Sequence, residues 1–577
     1  MPLRICLVTP FSWSQPNEAN DHVAGSAAAL RERGHAVTVL APSGLAAELL
    51  AGRRALASGE LGDVVALGRA VPVSRKSSLG VPVGVRANLA LALQRGGFDV
   101  VHVVDPGLPS LSYLALLETE TLTAATFLSD ERLGYPTRRT QREKLLARID
   151  ALLAVSPELA ATAAERFPGD YSVVPLGVDT RRFAPGRKGW RIAVEVRVDA
   201  LAPARAVLRT LREIPGWEVD LVRTAPLATR PAIPLSVRDR VRVRSLVRAD
   251  ARAALLGEAA ILVPAAEGSK RLRLEAMASG CAIADPPGVA LQPELAAAAV
   301  ARLVEDEGFR RSEGERSRAN AEAQSFEHVA EQLEGIYVSI GARRRTGRRG
   351  GEPLADRDWV VADLHMHTSH SSDCSIPVED LLDHAETEGL GAIAITDHNV
   401  FAGAIEGAEL AKSRNVIVIP GEEVKTDGQG ELIGLFLRHE IPRGMSFSDT
   451  VAAIREQEGL VYVPHPFDRM HAIPDPATLH RHLPEIDVFE VYNARLLFEG
   501  FNDEALRFAR KYGLLAGAGS DAHVLPGVGT GALRMRRFNG PEEFMLSLRT
   551  AEVLRRPKSL AYLQSLKWVA QVKEKVR

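Results

Sequence analysis

Three histidines and two aspartates fall within the sixteen residues "VVADLHMHTSHSSDCS", 360–375. The stretch begins apolar and ends polar, as a strand running out into a loop. Residues i and i+2 of a strand point to one face, so His365 and His367 converge. Each offers a neutral imidazole nitrogen, a donor suited to Zn²⁺, Mn²⁺ or Fe²⁺. The same ending recurs further on. "GAIAITDHN" ends in Asp397 and His398, "VIVIPGEEV" in Glu422 and Glu423, and "GELIGLFL" opens on Glu431. "LVYVPHPFD" carries His465, "IDVFEVYN" ends in Asn493, and "LLAGAGSDAH" in Asp521 and His523. One histidine at a strand end is ordinarily just a hydrogen-bonded residue, but repetition on several strands of one domain points to a metal centre. Carboxylates of Asp373, Glu423 and Asp521 would add oxygen ligands. No cysteine is needed, which disfavours a thiolate structural zinc site. An imidazole–carboxylate site holding two or three divalent ions with room for water suits hydrolysis at phosphorus. His370, His384, His439, His471, His480 and His482 fall in loops or helices and read as ordinary polar residues.

Positioning these groups requires strands whose ends meet. Helices such as "VEDLLDHAETEG" and "DTVAAIREQEG" separate several of about seven strands. A parallel barrel of such units gathers its carboxyl ends on one face, where sites of that architecture lie. The preceding half also alternates strand and helix, from "RICLVTP" and "DHVAGSAAALRERG" to "YSVVPLG". The pattern restarts near residue 188 with "RIAVEVR" and runs to "RLRLEAMASG". Two such runs predict two Rossmann-like domains facing a cleft. The expected division is 1–187, 188–340, a Gly/Arg-rich linker over 341–358, and 359–577. The last segment, "RRPKSLAYLQSLKWVAQVKEKVR", reads as a basic helix packed on the barrel, with docking to an anionic membrane as the alternative.

The 577 residues exceed what one core accommodates. A net charge of −2 supplies no global attraction to nucleic acid or anionic lipid, and neither half interleaves aromatic with basic residues for strand binding. Cys6, Cys281 and Cys374 lie far apart and form no Cys-x-x-Cys pair, which fits a reducing compartment. The opening "MPLRICLVTP" is too short in apolar residues for a signal peptide, and no apolar run approaches the roughly 20 residues of a membrane span. The expected location is cytoplasmic.

"DLHMHT", "ITDHN", "GEEV", "PHPFD" and "GSDAH", in that order, resemble the motifs of the PHP (polymerase and histidinol phosphatase) family over about 360–555. The resemblance implies a distorted seven-stranded (β/α) barrel with a trinuclear centre that hydrolyses phosphoesters. It implies one ion on His365, His367, Glu423 and Asp521, and a second sharing Glu423 with His465. A third would lie on Asp373, His398 and His523. Glu431 stands where many relatives have a histidine ligand to the second ion. Glu423 is preferred to Glu422 because the family pattern is Gly-x-Glu before a β-branched residue. Asp397 is expected to orient a ligand histidine, and Arg469 to hold a phosphate oxygen. Asn493 is placed to contact substrate. Cys374 reads as a packing residue.

"RICLVTPFSW", "GHAVTVLAPS", "VVPLGVDTRRFAP" and "EGSKRLRLEAMASGCAIA" resemble retaining glycosyltransferases of the two-domain GT-B type, family 4, over about 1–340. Glu267 and Glu275 keep the Glu-x7-Glu spacing that in this family reaches donor sugar and ribose. Other positions depart from the pattern. Asn17 and Glu18 replace a Gly-Gly pair that lies against the donor diphosphate, and Leu128 replaces a sugar-contacting histidine. Arg197 can supply one diphosphate-neutralising cation, but "VDALAPA" offers no lysine. "GSKR" replaces Gly-Phe-Gly. A phosphate cradle needs small residues and positive charge, so the expectation is a degenerate transferase fold that binds a sugar nucleotide or glycolipid, or acts as a scaffold. The reaction expected of the chain is therefore metal-dependent hydrolysis of a small-molecule or nucleotide phosphoester. The alternative is an active nucleotide-sugar-dependent transferase with an accessory barrel, resting on Glu267, Glu275 and Arg197 or Lys270.

Overall fold

A computed structural model describes residues 2–15, 17–72, 80–82, 84–197, 201–223, 231–245, 248–265, 268–287, 292–344, 354–468 and 473–556. The chain divides into two compact units. One comprises Met1–Thr119 and Thr123–Ser339, the other Ile340–Arg577 together with Glu120–Leu122. Among the described residues no helix is long and apolar enough to cross a membrane. Half of the Gly/Arg-rich stretch (345–353) and all of the expected basic helix after Arg556 (557–577) lie outside the described residues.

The first unit holds two sheets. The larger has seven strands in the order Val64–Ala66, Ala36–Ala41, Arg4–Val8, Val100–Val104, Leu122–Phe127, Ala151–Ala154, Tyr171–Val173. Arg4–Val8 pairs in parallel with strands on both sides, so the order reverses there as in doubly wound folds. The smaller sheet runs Val241–Ser245, Glu218–Arg223, Arg191–Val196, Ile261–Val263, Ala282–Ile283, again parallel throughout. The central strands, such as Arg4–Val8, Val100–Val104 and Ile261–Val263, are near-continuous apolar runs, as expected where helices cover both faces. Ile192, Val194, Val219, Leu221, Ile261 and Val263 anchor one core of the second sheet. The mixed α/β class and the two Rossmann-like sheets agree with the sequence expectation.

The second unit contains one nine-stranded sheet that curls until one end closes on Trp359–Met366. Its order is Leu515–Gly519, Val488–Asn493, Leu460–Val463, Glu431–Leu435, Ile417–Lys425, Ala392–Ile395, Trp359–Met366, Gly531–Arg536, Glu552–Arg555. The backbone N–H of Asp521 donates to the carbonyl of His365 at 2.7 Å, and that of His367 to the carbonyl of Ala522 at 3.2 Å. These bonds join the chain just past Leu515–Gly519 to the end of Trp359–Met366 and close the barrel.

The seven strands from 359 to 519 are not all parallel. Glu431–Leu435 runs antiparallel to both neighbours. This corrects the parallel barrel read from the sequence. The reversal has a local cause: only 426–430, with positive φ at Gly428 and Gly430, separate the strand from Ile417–Lys425, enough for a hairpin but not for a crossover. It also carries the start of the reversed strand to the end of the barrel where its neighbours finish, and Glu431 with it.

Candidate metal centre

Ala362 and Leu364 of strand Trp359–Met366 enter the apolar core. The pleat therefore turns Asp363 and His365 to the other side, followed by His367. Both histidines are fully buried, with ring centroids 5.2 Å apart. Gly519 makes room for them: a Cβ there would lie 2.2 Å from the Cβ of His365.

Glu423 sits at the middle of the cluster. Its Oε2 lies 3.2 Å from His365 Nε2, 3.4 Å from His367 Nε2 and 3.1 Å from His398 Nδ1. Its Oε1 lies 3.0 Å from His465 Nε2. One carboxylate thus faces four imidazoles, with its two oxygens divided between different sides. Asp521 Oδ1 lies 3.4 Å from His367 Nε2 and 4.0 Å from His365 Nε2. Asp373 reaches His523 Nε2 at 2.8 Å and His398 Nε2 at 3.9 Å. Glu431 Oε2 lies 3.7 Å from His465 Nε2. His465 and Asp521 adopt left-handed backbone angles, φ 27° and 52°, a cost that non-glycine residues carry chiefly where surrounding structure imposes it.

Three sets of ligand atoms gather within 4.8 Å of one another: His365, His367 and Asp521; His365, Glu423 and His465; His367, His398 and His523. The donor set fits divalent cations on a further observation. His367 Nε2 is buried and faces two carboxylate oxygens at 3.4 Å, yet makes no hydrogen bond. Its ring also stacks on His398 and packs against His523, with centroids 4.3 and 4.4 Å away. A cation between lone pairs and carboxylates satisfies all these groups, whereas protonation would set imidazolium against imidazolium.

The electrostatics divide the two central histidines. Burial opposes charge on His365, but Glu423, Glu490 and Asp521 hold its pKa well above the ordinary value. Burial and the neighbouring His523 and His398 rings drive His367 well below it. Against their own burial, Glu423 is held well below the carboxylate range by His365 and His398, and Asp521 by Arg495 and His365.

The remaining predicted residues fall around this cluster. Among the described residues the Asp397 carboxylate makes no hydrogen bond to a histidine. Its carboxylate accepts from the Thr368 N–H at 2.7 Å, the Thr368 hydroxyl at 2.6 Å and the Ser371 hydroxyl at 2.7 Å. Ser371 Oγ lies 3.3 Å from His367 Nδ1, so Asp397 reaches that ring through the hydroxyl. Asn493 is buried and donates to Glu490 Oε2 at 3.0 Å and Asp521 Oδ2 at 3.4 Å. Arg469 and Glu267 lie outside the described residues. Glu422 accepts from the Ile441 N–H at 2.8 Å, away from the histidines. Cys374 is buried, with its thiol directed at the carbonyl of His367.

Sequence reasoning missed two residues. Glu490 Oε1 lies 3.0 Å from His365 Nδ1 and accepts from the Tyr462 hydroxyl at 2.9 Å, while Oε2 accepts from the His465 N–H at 2.6 Å. Arg495 Nη1 donates to Asp521 Oδ1 at 3.0 Å. A charge at the centre of the apolar run "VFEVY" was the available signal for Glu490.

In the first unit Glu275 is buried and accepts from Arg252 at 2.7 and 2.9 Å and from Arg271 Nε at 2.9 Å. Burial pushes its pKa up to about 7 against the pull of Arg252. Arg271 also pairs with Asp21, and Glu18 accepts from the Ser269 hydroxyl. Glu195 is buried and accepts from the N–H groups of Ser269 at 2.9 Å and Ala265 at 3.1 Å, at the start of helix Lys270–Ala278. Arg197 follows directly on strand Arg191–Val196. A cavity of about 450 Å³ is lined by Glu18, Asp21, His22, Arg252, Arg271 and Glu275, among others.

A closed α/β barrel gathering imidazoles and carboxylates at one mouth, joined to a pair of Rossmann-like sheets, defines a two-part metal-site protein. The PHP domain matches residues 363–473, the PHP-associated domain 499–553, and Glycosyltransferase Family 4 residues 19–182. The chain belongs to the PHP family through its carboxy-terminal part and carries a glycosyltransferase family 4 domain ahead of it. An uncharacterized protein of Methanocaldococcus jannaschii, MJ0417, is 35% identical over 214 residues, covering 35% of this chain and 85% of that protein. A phosphatidyl-myo-inositol mannosyltransferase of Propionibacterium freudenreichii is 34% identical over 177 residues, 30% of this chain but only 45% of that enzyme. A glycosyltransferase structure from Rickettsia africae aligns over 58% of this chain and 98% of its own, at 14% identity and a TM-score of 0.40.

Proposed function

We propose that the carboxy-terminal barrel is a metal-dependent phosphoesterase with a trinuclear centre. The observation that carries this reading is the central placement of Glu423, whose two oxygens face His365, His367 and His398 on one side and His465 on the other. His365, His367, Glu423 and Asp521 would hold one ion, Glu423, His465 and Glu431 a second, and Asp373, His398 and His523 a third. Such ions supply polarisation of phosphoryl oxygens and lower the pKa of water. The chain's own residues do the rest. Glu490 accepts from Nδ1 of His365 and so leaves Nε2 as the donor facing the centre. Asp397 fixes the 368–371 turn, and through it Ser371 sets the ring of His367. Metal analysis of the purified chain, a phosphoester panel, chelator treatment and the His365→Ala/His367→Ala double variant test the reading. Chelation and the double change should each abolish hydrolysis, and full activity without metal would overturn it.

The family 4 domain, in this proposal, no longer transfers sugar and serves binding or scaffolding. Supporting this, both oxygens of Glu275 are occupied by Arg252 and Arg271. The helix N-terminus that suits a phosphate is capped from within by Glu195. Asn17 and Glu18 stand where a diphosphate needs small residues, and Glu18 would repel it. Calorimetry against a set of nucleotide sugars should give no binding or binding without turnover. Transfer from a labelled donor would overturn the proposal.

A further inference from the structure

Arg495 lies two residues beyond strand Val488–Asn493 and is anchored on the same scaffold as the ligands. Its backbone N–H donates to Asn493 Oδ1 at 2.9 Å, and the Asn493 amide donates to Glu490. Its guanidinium enters the metal centre. Nη1 donates to Asp521 Oδ1 at 3.0 Å and lies 3.1 and 3.3 Å from the two ring nitrogens of His523. The Arg495 side chain keeps 29% exposure where those of Asp521 and His523 keep 2%. It therefore spans from the buried ligands to the open side, which Asp373 and His398 also border, at 36% and 28%.

The charge around this opening is lopsided. Asp373 borders it at 36% exposure, with Asp521, Glu423 and Glu431 behind, and a substrate that is itself an anion must approach these carboxylates. A phosphomonoester near neutral pH carries close to two negative charges and three terminal oxygens, whereas a phosphodiester carries one charge and two such oxygens. With Nη1 committed to Asp521, Nε and Nη2 of Arg495 remain as a planar donor pair, and among the described residues neither has a protein partner. That edge matches two phosphoryl oxygens of one group.

Resting on the metal-dependent hydrolysis proposed above, we propose that Arg495 is the specificity-determining residue of the site, receiving the terminal oxygens of the phosphoryl group, and that the substrate class is a phosphomonoester. The Asp521 contact holds the guanidinium in place before substrate arrives. Bound ions would supply charge stabilisation at the reacting phosphorus, and Arg495 would take the charge that a diester lacks.

The test uses the full chain loaded with manganese, as wild type, Arg495→Gln and Arg495→Lys. Readouts are bound metal by mass spectrometry, inorganic phosphate affinity by calorimetry, and kcat and KM for p-nitrophenyl phosphate and bis(p-nitrophenyl) phosphate. Arg495→Gln should keep its metal and lose about 10- to 100-fold in phosphate affinity and, through KM, in monoester kcat/KM, the range for a hydrogen bond to a charged group. The diester value should fall by a much smaller factor, and Arg495→Lys should recover part of the phosphate affinity. Equal losses on both esters would overturn the proposal. So would lost metal with unchanged phosphate affinity, since Arg495 would then only hold Asp521. A wild type that binds phosphate through Arg495 yet hydrolyses neither ester would sink the hydrolase reading and leave the anion site standing. A wild type that turns over the monoester while Arg495→Gln matches it would sink this inference alone.

Discussion

Glu490 Oε1 lies 3.0 Å from Nδ1 of His365, and both side chains are wholly buried. A carboxylate beside Nδ1 favours a proton on that nitrogen, and the opposite nitrogen, Nε2, faces Glu423 at 3.2 Å. Removing the charge while keeping the shape isolates this role. Glu490→Gln should lower metal affinity by about 10- to 100-fold with the barrel still folded. Competition with a chelating dye measures it, and unchanged affinity would show that the His365 ring is held by packing alone.

Glu422 and Glu423 are neighbours in sequence with opposite environments. Glu422 is buried with one oxygen lacking a hydrogen bond, and burial raises its pKa to about 7. A carboxyl raised in the folded state binds a proton that the unfolded chain has released, so stability falls as pH rises from the ordinary glutamate range to about 7. Glu422→Gln should therefore stabilise the metal-free protein at pH 8 by about 2–3 kcal/mol and have little effect at pH 4. Denaturant midpoints at the two pH values check this, and a gain of equal size at both would refute it.

Gly519 is required by space rather than by backbone angle. An added Cβ would meet the His365 Cβ at 2.2 Å and its backbone nitrogen at 3.0 Å. Gly519→Ala should cost about 1–3 kcal/mol and displace His365, lowering bound metal in step. Thermal melts with metal analysis on one preparation would show whether the two losses travel together.

In the family 4 domain, Arg252 and Glu275 form a pair whose side chains keep 8% and 5% exposure. Arg252→Met leaves the carboxylate partnered by Arg271 alone, and should destabilise the first unit by about 3–5 kcal/mol. A double variant, Arg252→Met with Glu275→Leu, should recover most of that loss in chemical denaturation. No recovery would mean that the two residues matter separately.

Much of the site was legible because strand periodicity is local. His365 and His367 two residues apart, and acidic or imidazole groups at successive strand ends, needed no tertiary knowledge. Strand direction was less accessible. The apolar run in "GELIGLFL" carries no mark of strand direction, so the reversal of Glu431–Leu435 emerged only from its pairing. Glu490 was hidden as one charge in an apolar run, and Arg495 as one arginine in a loop. Their meaning comes from partners 125 and 26 residues away. In the first unit the same holds for Glu195, whose capping of Ala265 and Ser269 crosses 70 and 74 residues.

The bonds from Asp521 to His365 and from His367 to Ala522 make residues of the cluster part of the stitching of the barrel wall. On the ribosome, the imidazoles of the opening strand must wait for nearly the whole domain to emerge before the seam can be sewn. Completion of the barrel and gathering of the proposed ligands thus become one event, and a chain interrupted before that final turn would carry neither a finished barrel nor a gathered cluster.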